Sequence, residues 1–164
     1  MSRLDSAIRR LKAQRACLEL AANLTRDLVG PVLEFGLGNG RTYDHLREIL
    51  PDREIFAFDR QIAAHPDCIP DAAHMFLGDF HDTVPAALGR LGHSAVLLHF
   101  DIGSGDAAAN AELARWMAKA TAGLLAPGGV AVADQELVGT TWTAMALPEG
   151  VAPGRCFMYR RDRP

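Results

Sequence analysis

The chain has 164 residues, 49% of them hydrophobic and 23% charged, with a formal net charge of −3. That length holds one domain, not two, and the composition excludes a disordered or fibrous chain. Apolar runs fall far short of the ~20 residues of a membrane span, and the polar start Met-Ser-Arg-Leu-Asp has no apolar stretch of a secretory signal; a cytoplasmic protein with no membrane contact is expected.

In chain order, Asp5 to about Leu28 reads as helix, with apolar residues at Leu4, Ile8 and Leu11 and again at Cys17, Leu20, Ala21, Leu24 and Leu28. The two sets slip out of phase near Gln14–Arg15, which leaves one long helix or two with a bend. Gly30-Pro31 stops it. Val32–Phe35 reads as a strand, Gly36–Gly40 as a glycine-rich turn, and residues 41–50 as a helix ended by Pro51. Further strands are expected at Glu54–Phe58, 73–77, Ala95–Phe100 and Val130–Ala133, closing on Asp59, Gly78-Asp79, Asp101 and Asp134. A short helix capped by Asp82 or Thr83 and entered through Pro85 follows the third strand, and an Ala-rich helix over 106–124 follows the fourth. The tail offers two more strands, Thr141–Leu147 and Arg155–Arg160.

Continuously apolar strands alternating with helices predict a doubly wound α/β domain with a mostly parallel sheet. A helical extension over 1–30 precedes the α/β domain at 31–164. Between Asp134 and Thr141 there is room for a turn but hardly for a crossover helix, so the helix after the fifth strand is expected to be missing.

The charge is unevenly spread: residues 1–29 and 155–164 each carry +3, and the stretch between them −9. An acidic body with basic ends argues against a whole-surface polyanion binder and suits the docking of one subunit's ends on another's body. A homo-oligomer is expected on that basis. Cys17, Cys68 and Cys156 make no disulfide framework or zinc ribbon, and the six histidines show no metal spacing.

In an open α/β sheet, ligands bind beyond the carboxyl ends of the strands. Glu34, Asp59, Asp79, Asp101 and Asp134 all sit at such ends, with a glycine loop after the first. A dinucleotide fingerprint would need glycine where Arg41 stands, and the Gly-Lys-Ser/Thr of a Walker loop is absent. An acid entering the loop disfavours a pyrophosphate and suits a cationic ligand.

The run Val32-Leu33-Glu34-Phe35-Gly36-Leu37-Gly38-Asn39-Gly40 resembles the first motif of the class I S-adenosylmethionine-dependent methyltransferases, and the resemblance extends from about Val32 to Asp134. It implies a Rossmann-like methyltransferase fold, S-adenosylmethionine as cofactor, and a loop backbone from Glu34 to Gly40 packed on the cofactor's methionine portion. It also places Glu34 near the cofactor's amino group and Thr42 near its carboxylate. Asp59, with Arg60 beside it, matches the acid that accepts from both ribose hydroxyls, and a two-oxygen carboxylate suits a vicinal diol. Gly78-Asp79-Phe80 resembles the segment at the adenine, and Asp101 matches the residue between cofactor and acceptor. Leu125–Gly129 resembles the turn before the fifth strand.

Methyl transfer from a sulfonium is an in-line displacement, which needs a base only if the acceptor arrives protonated. Asp101 and His81 are the candidates for a catalytic role; His99, inside an apolar strand, reads as a core residue. The Asn/Asp-Pro-Pro-aromatic motif of base-amine methyltransferases is absent after the fourth strand, as is the Pro-Cys nucleophile of cytosine-C5 enzymes. A small-molecule acceptor and no nucleic acid are therefore expected. Asp101, Asp134 and Gln135 resemble the Mg²⁺ ligands of metal-dependent catechol-type O-methyltransferases, with Gln in place of Asn; Mg²⁺ is kept as a minor alternative and no metal site is assigned. Two other readings stay open: a silent module that binds the cofactor without turnover, and a nicotinamide-dependent oxidoreductase.

Overall fold

A computed structural model describes residues 2–163. The chain opens with α1 (Arg3–Leu24), a single unbroken helix whose start is closed reciprocally by Ser2 and Asp5. The phase slip near Gln14 therefore costs no bend. Its inner face buries Ala13, Gln14, Cys17, Leu18 and Ala21.

Next come β1 (Val32–Phe35), α2 (Arg41–Ile49) and β2 (Ile55–Asp59). A single 3₁₀ turn at Pro66–Cys68 stands where a second crossover helix would lie, before β3 (Met75–Leu77). The helix after β3, α3 (Phe80–Leu91), begins earlier than the sequence reading had it. Asp79 caps it by accepting from His81 N at 2.9 Å, and Pro85 lies inside, where its missing N–H removes one ladder bond. Then follow β4 (Ala95–Phe100), α4 (Ala107–Ala120) and β5 (Leu125–Ala133). Asp106 caps α4 by accepting from Ala108 N and Ala109 N. β5 starts five residues before the expected Val130, because Leu125 pairs with Ala95 and the ladder resumes after a bulge at Leu97–Val130. The tail strands are shorter than expected: β6 (Thr143–Ala144) and β7 (Phe157–Arg160).

These strands form one sheet in the order β3-β2-β1-β4-β5-β7-β6, parallel from β3 through β5 and antiparallel at β7 and β6. Among the described residues no helix follows β5. Leu137 and Trp142 of that connection are buried instead, and Leu137 N donates to the Tyr159 hydroxyl at 3.0 Å.

Period-two alternation splits the buried strand residues between two cores. Leu33, Phe35, Phe56, Phe58, Leu98 and Phe100 meet α3 and α4 on one face. Val32, Ala57, Leu97, Val130 and Val132 meet α1 and α2 on the other. On the first face aromatic rings run across four strands: Phe76 stacks on Phe58 at 4.5 Å, Phe58 meets Phe35 at 4.5 Å, and Phe35 stacks on Phe100 at 4.9 Å. Each such buried ring contributes roughly 1.5–3 kcal/mol. This band sits just inside the strands' carboxyl ends and holds those ends in register.

Candidate functional site

The carboxyl ends of β1, β2, β4 and β5 meet around the glycine loop. Gly36 has φ +90°, and a Cβ there would lie 2.1 Å from the Asp101 carbonyl oxygen, so only glycine lets the loop lie on the end of β4. Gly36 N and Leu37 N both donate to Phe58 O, which ties the loop to β2. Gly38, at φ +51°, faces open space. Its N–H donates to Asp59 Oδ2 at 2.9 Å, while Asp59 Oδ1 takes only a longer bond from Gln61 N at 3.3 Å. The half-buried Asp59 carboxylate thus keeps accepting capacity beside an empty cradle. Gly40 caps α2 in left-handed conformation, where a Cβ would meet Cys68 at 2.5 Å, and Asn39 Oδ1 accepts from Arg41 N.

Not every residue of the loop offers its side chain. Phe35 belongs to the α3–α4 core and Leu37 to the α1–α2 core, so only their backbone borders the cradle. Glu34 differs most from its expected place. Its side chain has no exposed surface. One oxygen accepts from the Thr42 hydroxyl, and the other lies 2.5 Å from His99 Nδ1. Glu34 and His99 stand directly opposite in the β1–β4 register, and both side chains point to the α1 side, where Gln14 Nε2 lies 3.5 Å from His99 Nε2. The Thr42 hydroxyl is therefore spent within the protein. Direct contact of Glu34 with a ligand's amino group has no support in this geometry.

Around the rim, Asp79 Oδ1 accepts from His81 N and from His81 Nδ1 at 2.7 Å, and these bonds, with Arg60's charge adding, hold Asp79 below its usual pKa. Asp79 is a helix cap, with its second oxygen unpaired among the described residues. Gly78 precedes it, half-buried. Phe80 sets its ring edge-on to Phe35 at 6.1 Å. Arg60 is exposed, and so is His81, whose ring lies 4.1 Å from that of Trp116. Asp101 is half-buried and faces Arg10 of α1 at 3.9 Å.

Asp134 turns both oxygens to the loop after β4, accepting from Ile102 N at 3.2 Å and Gly103 N at 2.8 Å. Gln135 Nε2 donates to it as well, and burial raises its pKa. Those bonds make Asp134 a clasp between the ends of β4 and β5. The arrangement does not bring Asp101, Asp134 and Gln135 together as a set of free oxygen donors.

A cavity of about 100 Å³ opens between α1 and the glycine loop, lined among others by Arg10, Gln14, Gly38, Arg41, Thr42 and Asp101. A larger one, about 590 Å³, lies at the opposite end of the sheet, against Gly30-Pro31 and residues 49–54. It is remote from every strand-end acid.

The family model described as S-adenosyl-L-methionine methyltransferase matches residues 1–161 of this chain. The chain belongs to that family. It is an S-adenosylmethionine-dependent methyltransferase with the Rossmann-like methyltransferase fold. A crystal structure of an S-adenosyl-L-methionine methyltransferase from Silicibacter pomeroyi is 45% identical, covers 98% of this chain and 99% of that one, and superposes with a TM-score of 0.94. A Corynebacterium glutamicum protein, 11% identical with coverage of 90% and 81%, has a TM-score of 0.55. DesVI of Streptomyces venezuelae, 16% identical with coverage of 86% and 59%, has 0.51. At those identities the last two share the fold alone. No curated protein matches.

The methyltransferase's residues fit its cofactor. The open cradle over Gly38 admits a ligand against backbone, Asp59 has acceptor capacity for a ribose diol, and the cavity beside them joins cationic and polar groups suited to an amino-acid end. Arg10 and Gln14 were missed by the sequence reading, and so was the partnership of Glu34 with His99. That partnership depends on the register, since Glu34 and His99 stand opposite each other only because β4 lies beside β1.

Proposed function

We propose that the enzyme methylates a small-molecule acceptor by in-line displacement at the carboxyl ends of β1, β2 and β4. The observation that carries the location is the cradle itself: three left-handed glycines, one of them facing open space, hydrogen-bonded to the Asp59 carboxylate. S-adenosylmethionine supplies a methyl carbon on a sulfonium, which is already activated for displacement. The chain's part is to bind, align and exclude water. Asp59 accepts from the ribose hydroxyls, the Gly36–Gly40 backbone bounds the amino-acid portion, and Phe80 with the free oxygen of Asp79 borders the adenine. Asp101, at the end of β4 and half-buried, faces the transferring methyl, where its negative charge favours the cationic donor; its ion-pair partner among the described residues is Arg10, at 3.9 Å.

His81 is an exposed imidazole on the rim and the reachable candidate for a base. His99 is sealed beneath α1 and cannot meet an acceptor. The acidic middle of the chain and the lack of a basic, aromatic-lined stripe in the sequence favour a small molecule over nucleic acid. Its three free thiols suit a cytoplasmic setting, and its basic ends suit docking on the acidic body of a second copy. No helix among the described residues is long and apolar enough to cross a membrane. A methyl-release assay comparing a small-molecule panel with RNA, DNA and protein substrates tests the acceptor class. Turnover confined to the macromolecules would defeat this reading.

A further inference from the structure

In-line transfer fixes the side from which the acceptor arrives, opposite the cofactor's sulfur. The cradle lies at the ends of β1 and β2, at Gly36–Gly40 and Asp59. With β4, β5 and β7 following β1 in the sheet, the acceptor's side of Asp101 is the side of β5 and β7.

The start of α1 reaches over that side. The helix packs on β4 and β5, Gln14 meets His99 inside β4, and Arg10, one turn earlier, faces Asp101 at its end. The buried face begins at Ala13, while residues 3–12 are exposed or half-buried, so the first turns overhang the carboxyl edge of the sheet. Arg3, Ser6 and Arg10, spaced by three and four, share one side of the overhang. That side continues the buried face, since Gln14 and Cys17 stand four and seven positions after Arg10.

A third guanidinium comes from the tail. Arg155, half-buried, donates from Nη1 to Ser6 Oγ at 3.5 Å. Phe157 stands opposite Ala133, which puts Arg155 beyond the carboxyl end of β5. The strand-end acids here are already engaged. Asp101 pairs with Arg10, and Asp134 accepts from Ile102 N, Gly103 N and Gln135 Nε2. Past Asp134 the chain turns to the other face, where Leu137 N meets the Tyr159 hydroxyl. Neither Arg3 nor Arg155 forms an ion pair among the described residues.

We propose that Arg155 is a specificity-determining residue for the methyl acceptor, which carries an oxyanion group, a carboxylate or a phosphate. The inference rests on the glycine-loop site proposed above and names the acceptor's class. The guanidinium fork matches two oxygens of such a group, Ser6 lies beside it, and Arg3 adds charge. Ser6 and Arg10 are four residues apart, so the anchor stands about 6 Å along the helix from the contact with Asp101. That spacing suits a small molecule whose nucleophilic atom faces the methyl while its anionic end is held.

The test uses the full chain loaded with S-adenosylhomocysteine, titrated calorimetrically with benzoate, phenyl phosphate and their uncharged counterpart benzamide. At least one anion should bind at least about tenfold more tightly than benzamide, the value of a charge-assisted hydrogen bond, and the better of the two identifies the oxyanion. Arg155→Gln should weaken that anion at least about tenfold, with S-adenosylhomocysteine affinity within about twofold, and Arg155→Lys should restore part of the loss. Benzamide bound as well as the anions, no binding of either anion, or anion affinity unchanged in Arg155→Gln would overturn the assignment. If that variant does not fold, the comparison of anions with benzamide on the unaltered enzyme decides. An unaltered enzyme that fails to bind S-adenosylhomocysteine would overturn the glycine-loop site, and this inference with it.

Discussion

The two ends of the sheet differ in a way that volume alone would misjudge. The amino ends of the strands border the larger cavity, about 590 Å³, while the carboxyl ends border one of about 100 Å³. The larger cavity's chief cation is already used. The Arg53 guanidinium donates to the carbonyls of Thr25, Arg26, Leu28 and Gly30 at 2.8–3.3 Å, closing the C-terminal end of α1 onto the entry to β1. At the carboxyl ends the polar groups are held by the fold and still keep free capacity: Asp59, the second oxygen of Asp79, and Gln14. The amino end's polar groups hold the chain together, and the carboxyl end's keep the capacity that the proposed site requires.

The buried pair gives the largest test of that contrast. Glu34→Ala leaves His99 Nδ1 and the Thr42 hydroxyl without their acceptor and should cost roughly 2–5 kcal/mol of stability, read by chemical denaturation. A loss below about 1 kcal/mol would show that the pair does not help to hold the fold. The pair also has a pH signature. Because Glu34 raises the His99 pKa above 6.5, its stabilising contribution is complete below that value and fades as the pH rises through the folded pKa. Melting temperatures should fall on the alkaline side, and less so in the doubly substituted Glu34→Gln, His99→Gln chain.

The middle of the scale separates the two ends directly. Asp59→Ala should weaken S-adenosylhomocysteine binding by about 10- to 150-fold with little change in melting temperature. Arg53→Ala should do the reverse, lowering stability by about 1–3 kcal/mol through the orphaned carbonyls while leaving the ligand's affinity intact. Interchanged outcomes would reverse the roles assigned to the two ends. Gly38→Ala is the smallest change. A Cβ meets nothing within 4 Å, so the cost is the left-handed backbone alone, about 1–2 kcal/mol. Any affinity lost beyond that reports a ligand lying against the cradle.

How far the sequence could be read follows the same division. Ala95–Phe100 and Val32–Phe35 were legible to the residue, because each is a continuous apolar run bounded by turn residues. Leu125–Gly129 reads as a turn from Pro127-Gly128-Gly129, yet the strand begins there, since β4 supplies a partner across a bulge. The α3 cap was misplaced because Pro85 suggests a helix start, whereas Asp79 supplies the local hydrogen bonds that begin the helix five residues earlier, at Phe80. The glycine loop and the strand-end acids were legible from spacing. The burial of Glu34 was not, because it depends on which strand lies beside β1 and on α1 covering that face. Local pattern finds a loop, and only the register finds His99. Gln14 lay hidden for the same reason: at a phase slip in a helix it has no motif, and its meaning comes from residues 85 positions away.

Hydrogen–deuterium exchange with and without S-adenosylhomocysteine tests the central claim most directly. The account predicts new protection across Gly36–Thr42 and at residues 59–61 and 78–80, with none at 28–31 or 49–54. Protection confined to the latter two segments would place the ligand in the larger cavity and contradict it.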